Sequence, residues 1–197
     1  MMLIEESQLP DTALPVAALK RHLRLGSGFA EDDLQDVVLG SFLRAALAAV
    51  EARTGKALLV RNFVWTLGAW RDRDGVVLPV APVQALISLR LTDREGVAQL
   101  IDLGEYRLEK DAHAPRLKPP GGLLPVIPAG GSAELRFAAG YAPQFDGLPP
   151  DLAQAVLLLA AHYYDYRAET ALGQGCMPFG VTSLIARYRP LRVGFGS

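Results

Sequence analysis

Only one cysteine, Cys176, occurs in the 197 residues. A single thiol cannot close an internal disulfide, so the fold must hold by burial alone, as suits a reducing compartment. Three histidines, His22, His113 and His162, leave few nitrogen ligands for a metal site. An excess of one charge is missing too: 20 basic and 21 acidic residues give a net charge of −1. That removes the whole-chain basic footprint of a nucleic-acid-binding protein. Long hydrophobic runs are absent. The longest, residues 153–161, is interrupted by Gln154 and falls far short of the roughly 20 apolar residues that span a bilayer. The first fifteen residues carry Glu5, Glu6 and Asp11 and no basic group, so the pattern of a secretory signal is missing. No membrane contact is expected.

What is present is 50% hydrophobic residues, enough for a core without staples. The chain reads in three zones. Pro15 suits the start of a helix, and Val16, Leu19 and Leu23 recur at helical spacing before Gly26 and Gly28. A second helix is expected from Glu31, whose neighbours Asp32 and Asp33 suit a helix N-terminus. Its stripe runs Leu34, Val37, Val38, Phe42, Ala45, Val50, and Gly55 ends it. The second zone, residues 57–141, is β-rich. Strands are expected at 58–67, 76–80, 86–92, 97–102, 106–109, 116–118 and 134–138, with Asp93 to Gly96 as a hairpin turn. Residues 119–131, rich in Pro and Gly, are expected to form an exposed loop. The third zone opens with Pro149, Pro150 and Asp151. It predicts a long helix to about Arg167, then a Gly-rich linker at 171–180, a last helix over 181–189 and a tail. Helices, then strands, then helices is an α+β order: an N-terminal helix pair, a central short-stranded antiparallel region, and a long C-terminal helix with an extended tail.

Reactive constellations are scarce. His162 and Asp165 share a helix face three residues apart, with Tyr163 beside them, but two such groups are too few for a metal. Cys176 has no histidine partner in its Gly-rich surroundings. Gly173 and Gly175 follow a helix and lack the Lys-Ser/Thr of a phosphate loop. A small-molecule enzyme using His162, Asp165 and Tyr163 is the weakest reading. A nucleic-acid-binding regulator, motivated by Lys20, Arg21 and Arg24, is the alternative that phosphate contacts would require. Arg187, Arg189 and Arg192 interleave with Tyr188 and Phe195, the mix enriched in protein–protein hot spots.

Four stretches together resemble one family. The first is Val16-Ala-Ala-Leu-Lys20-Arg-His-Leu-Arg24 with Glu31-Asp32-Asp33-Leu34. The second is Glu51-Ala-Arg-Thr54-Gly55-Lys-Ala-Leu58, leading into Phe63 and Trp65. The third is Leu78-Pro79 and Pro82-Val83, then residues 86–96 and Tyr106-Arg107-Leu108. The fourth is Ala139-Gly140-Tyr141, then Leu148-Pro149-Pro150-Asp151-Leu152, then residues 157–164 and Arg167. In this order they resemble the head–tail connector, or adaptor, proteins of siphophage-type tailed phages and gene transfer agents. Within this resemblance the segments 119–131 and 171–180 depart from the family pattern.

The resemblance implies a structural subunit, with neither cofactor nor turnover. It implies a homo-oligomeric ring, commonly a dodecamer, docked on a portal protein, with the next neck, stopper or tail protein on the other side. Double-stranded DNA would pass through the lumen without sequence-specific binding. Such a particle neck is assembled in the bacterial cytoplasm. The expected organisation is one connector domain over 1–190, with residues 1–14 as an N-terminal arm and 191–197 as a tail. Arg187, Tyr188, Arg189, Leu191, Arg192, Val193 and Phe195 are expected to dock on the portal or a neighbouring subunit.

Overall fold

The computed structural model describes residues 1–25, 33–167 and 177–190. It is an α+β structure with four α-helices among the described residues and antiparallel sheets. The chain separates into two compact units, one of residues 1–8 and 59–143, the other of residues 9–58 and 144–197.

The first unit holds a five-stranded sheet. Its strands are β1 (Met2–Glu5), β2 (Arg61–Leu67), β4 (Val83–Thr92), β5 (Ala98–Ile101) and β8 (Ser132–Ala139), in the order β1-β2-β8-β4-β5. A second sheet takes β3 (Val76–Val77), β7 (Arg116–Lys118) and β6 (Arg107–Glu109) in that order. β2 lies inside the sheet and buries one face: Arg61, Phe63, Trp65 and Leu67 are buried on alternate positions. Phe63 pairs with Phe137 of β8 and their rings stack at 5.7 Å. The Asp93–Gly96 hairpin forms as expected. Asp93 N–H donates to the Val97 carbonyl, and Gly96 takes φ +85°, where a side chain would be strained.

Two local rules break here. Alternation predicts Ile87, Leu89 and Leu91 on one face, but Ile87 is exposed. The register of β4 on β8 shifts between Leu86 and Ser88, and this bulge restores Leu86 to the row of Phe137. Within the expected exposed loop, Leu124 is fully buried. Its N–H donates to the Arg73 carbonyl at 2.6 Å, and Trp70 Nε1 donates to the next carbonyl, Pro125, at 2.7 Å. The loop is therefore pinned at its centre, because prolines that cannot join a ladder still offer carbonyl acceptors. Met2–Glu5, set aside from sequence as part of an arm, forms the edge strand β1.

The second unit is helical: α1 (Val16–His22), α2 (Asp33–Thr54), α3 (Pro150–Asp165) and α4 (Phe179–Ile185). α2 packs on α3, α1 on both, and α4 on α3. The buried stripe of α3, Leu152, Ala155, Val156, Leu159 and Ala160, has ideal helical spacing. That of α2 is Leu39, Leu43, Ala46, Leu47 and Val50. It differs from the sequence expectation, since Val37 and Val38 are exposed. α2 carries apolar residues on most of its circumference, so periodicity alone cannot choose the inward face.

Candidate docking site

The described chain ends in a short anchored segment of the second unit. Pro178 precedes α4, and Val181 and Ile185 are its buried positions. A single 3-10 turn, Ala186–Tyr188, follows. Tyr188 is only 8% exposed. Its hydroxyl donates to Asp151 Oδ1 at 2.7 Å, and the Arg187 guanidinium meets Asp151 Oδ2 at 2.7 Å. The same guanidinium donates to the Tyr188 oxygen at 2.6 Å and lies 4.8 Å from the ring centre. Asp151 stands in the first turn of α3, where the helix dipole favours a carboxylate. Burial pushes the Tyr188 phenol above its ordinary value, and the bond to Asp151 adds to this while Arg187 opposes it.

Of the residues expected to dock, the structure thus brings Arg187 and Tyr188 together on Asp151, within the unit. Tyr188 spends its buried side chain on holding the last turn against α3. Arg189 is exposed. Leu191, Arg192, Val193 and Phe195 lie outside the described residues.

The alternative sites fare as follows. Lys20 is ion-paired with Asp36 of α2, which ties α1 to α2. Arg21 and Arg24 are exposed. The His162 ring packs 4.6 Å from that of Tyr166. Phe42 meets Tyr164 edge-on at 6.2 Å, and Arg167 covers the Tyr164 ring at 4.5 Å. Burial raises the Tyr163 phenol, with Arg53 opposing. Among the described residues, no group of three or more His, Cys, Asp or Glu side chains converges as a metal would require. No helix among them is long and apolar enough to cross a membrane. Cys176 lies outside the described residues.

The first unit has a cleft of about 960 Å³, lined by Trp65, Trp70, Val76, Leu78, Arg116 and others. Beside it the Asp74 carboxyl is held below its usual range, first by the Asp72 side chain and then by Lys118.

Sequence reasoning missed two exposed apolar features. Phe179 is 87% exposed at the head of α4. The signal was its position: it lies two residues before Val181, off the face that Val181 and Ile185 bury. The other is β1, where Met2, Leu3 and Ile4 are all exposed. Three consecutive apolar residues carry no alternation from which to read a strand.

No protein-family model matches the sequence, and no curated protein does. Solved structures match over the full length. One is a chain of the neck of an empty GTA particle computed with C6 symmetry: 49% identity, TM-score 0.90, 100% of this chain and 99% of that chain covered. A second is from the virion of a native gene transfer agent particle, at 48% identity, TM-score 0.87 and the same coverage. A third, from the neck of a native GTA particle computed with C12 symmetry, gives 45% identity, TM-score 0.85 and again 100% and 99% coverage. The chain belongs to the head–tail connector family of tailed phages and gene transfer agents.

The connector motifs acquire physical roles in the structure. In the Glu51 to Leu58 stretch, Glu51 Oε1 accepts the Leu58 N–H at 2.7 Å. Buried Thr54 donates to the Val50 carbonyl at 2.8 Å, and its oxygen accepts the Lys56 N–H at 3.3 Å. Together they close the end of α2, whose last carbonyls and following amides would otherwise lack partners. Gly140 of the Ala-Gly-Tyr stretch has φ +143°, and a Cβ there would stand 2.5 Å from the backbone of Leu59 and Val60. The chain entering β2 and the chain leaving β8 touch at this point, where Val60 N–H donates to the Ala142 carbonyl at 2.9 Å.

Proposed function

We propose that this protein is a structural subunit of the neck of a gene transfer agent or phage-like particle. In this reading it forms a homo-oligomeric ring between the portal protein and the next neck or tail protein. The double-stranded genome passes through the lumen. The observation that carries the reading is full-length likeness at 45–49% identity to chains of GTA necks and virions, two of them computed with C6 and C12 symmetry. The TM-scores of 0.85–0.90 over the entire chain say that the fold is shared from end to end.

The chemistry of the surface supports it. A ring needs a patch on one flank that fits a different patch on the other. The exposed apolar residues of both units provide such material. A lumen for moving DNA is best served by a chain near neutrality, since each neutralised phosphate adds grip. The docking arm begins after Tyr188, with Arg189, Leu191, Arg192, Val193 and Phe195 reaching the portal or a neighbouring subunit. The Arg187–Tyr188–Asp151 clamp fixes where that arm leaves.

Deleting residues 191–197 tests the proposal, because it keeps the clamp and removes most of the arm. Particles from a producing strain are purified, imaged, and assayed for this protein by mass spectrometry. The expected result is heads without assembled necks. Normal necks from the deletion remove the docking arm. Complete necks that lack this protein altogether remove the function.

A further inference from the structure

The two edges of the five-stranded sheet differ from those of a solitary soluble sheet. Side chains on one row across the sheet share a face. One row reads Met2, Thr66, Glu134, Arg90, Leu100. The next, on the opposite face, reads Leu3, Trp65, Leu135, Leu89, Ile101. In the first row the charges stand at the centre and the apolar residues at the rims. Met2 is 55% exposed and Leu100 67%. In the second row the apolar character runs unbroken from rim to rim, and Leu3 at its end is 40% exposed.

Natural sheets blunt free edges with lysine, proline, inward charges or bulges, because an unpaired edge recruits another strand. β1, of sequence Met-Leu-Ile-Glu, and β5, Ala-Gln-Leu-Ile, are short at four residues each, but apart from Glu5 they carry no charge and no proline. β1 is no loose end either. Glu5 bonds Arg61 of β2 at 2.8 Å and Glu6 bonds Arg136 of β8 at 3.2 Å, so the open edge is held in place.

Direction decides what fits. Each neighbouring pair in the sheet is antiparallel, and five strands separate into three one way and two the other. The rims β1 and β5 therefore run in the same direction. A second copy carried round a ring by a rotation well short of a half-turn keeps its strand direction. Its β1 then meets the first copy's β5 as a parallel pair. A two-fold dimer through β1 on β1, or β5 on β5, uses one rim and leaves the other bare, so it cannot close a ring.

We infer that β5 of one copy adds to β1 of the next, joining the sheets of neighbouring subunits edge to edge around the neck ring. Both rims carry apolar residues on both faces, so the joint extends the Leu3–Ile101 row from copy to copy while the backbone groups find partners. The inference rests on the ring reading of the preceding section.

The test places Met2→Cys and Leu100→Cys in one chain, with Cys176→Ser to remove the native thiol. Assembled particles are treated with a short bismaleimide, which tolerates a residue of register difference. The expected result is a ladder from dimer upward in the double variant and no adducts in either single variant. A normal amount of the double variant in necks without a ladder overturns the inference while leaving the neck function standing. Dimers from Met2→Cys alone or Leu100→Cys alone also overturn it, since they report a two-fold joint. Absence of the otherwise native Cys176→Ser chain from necks counts against the function itself. Leu100→Asp gives a second arm. At an exposed position it leaves the circular dichroism of the free chain unchanged, and it should lower the yield of necked particles at least tenfold. Undiminished yield overturns the inference.

Discussion

The Tyr188 hydroxyl donates to Asp151 Oδ1 at 2.7 Å across 37 residues of sequence. The bond joins the last described turn of the second unit to the first turn of α3. Its acceptor is a carboxylate shared with Arg187, so it belongs to the stronger class of hydrogen bond. Tyr188→Phe should keep the packing of the ring and lose the bond, costing about 1.5–3 kcal/mol. A shift of the urea midpoint at unchanged slope checks it.

The same phenol sets an alkaline limit. Burial and Asp151 hold its proton above the unfolded value near 10. A group whose folded value is raised contributes fully below the unfolded value and less as pH climbs through the folded one. Stability should thus be flat across this group's range below about pH 10 and fall above it. The fall should be shallower in Tyr188→Phe. Thermal melts of both proteins from pH 8 to 11 decide the point.

Gly140→Ala should destabilise the first unit strongly. The added Cβ would meet backbone, not a flexible side chain, at 2.5 Å, and φ +143° disfavours any L side chain. A loss of about 3 kcal/mol or more is expected, beyond the usual range for a strained backbone alone. Melting temperature against a Gly121→Ala control, where nothing lies within 4 Å, measures it.

Glu51→Ala removes the acceptor of the Leu58 N–H. A part-buried amide left without its partner costs about 1–3 kcal/mol. The Leu58 amide should lose hydrogen-exchange protection before the centre of α2 does.

Phe137→Ala empties a fully buried position whose ring stacks on Phe63. A loss of about 3–5 kcal/mol is expected, read from denaturant unfolding.

Much of the fold was legible because its signals are local. Hairpin chemistry at Asp93–Gly96, the proline-led start of α3 and the glycine after α2 each act within a few residues. The misreadings share a cause. Ile87 is exposed because of a register shift set by β8, and Leu124 is buried because Arg73 and Trp70 reach its loop. Neither partner is a sequence neighbour. Family membership was visible in the order of four stretches, although each, taken alone, does packing, capping or turning.

The amino-acid order by itself determined most element types, the α+β class and the resemblance to head–tail connectors, since propensity, capping and period need only nearby residues. Tertiary structure alone decided that Tyr188 is an anchor, that Met2–Glu5 is a strand, and that both rims of its sheet are apolar and lack a further strand among the described residues. Those facts depend on which distant residues meet, and the energy of a long-range contact is not written in either partner's local sequence.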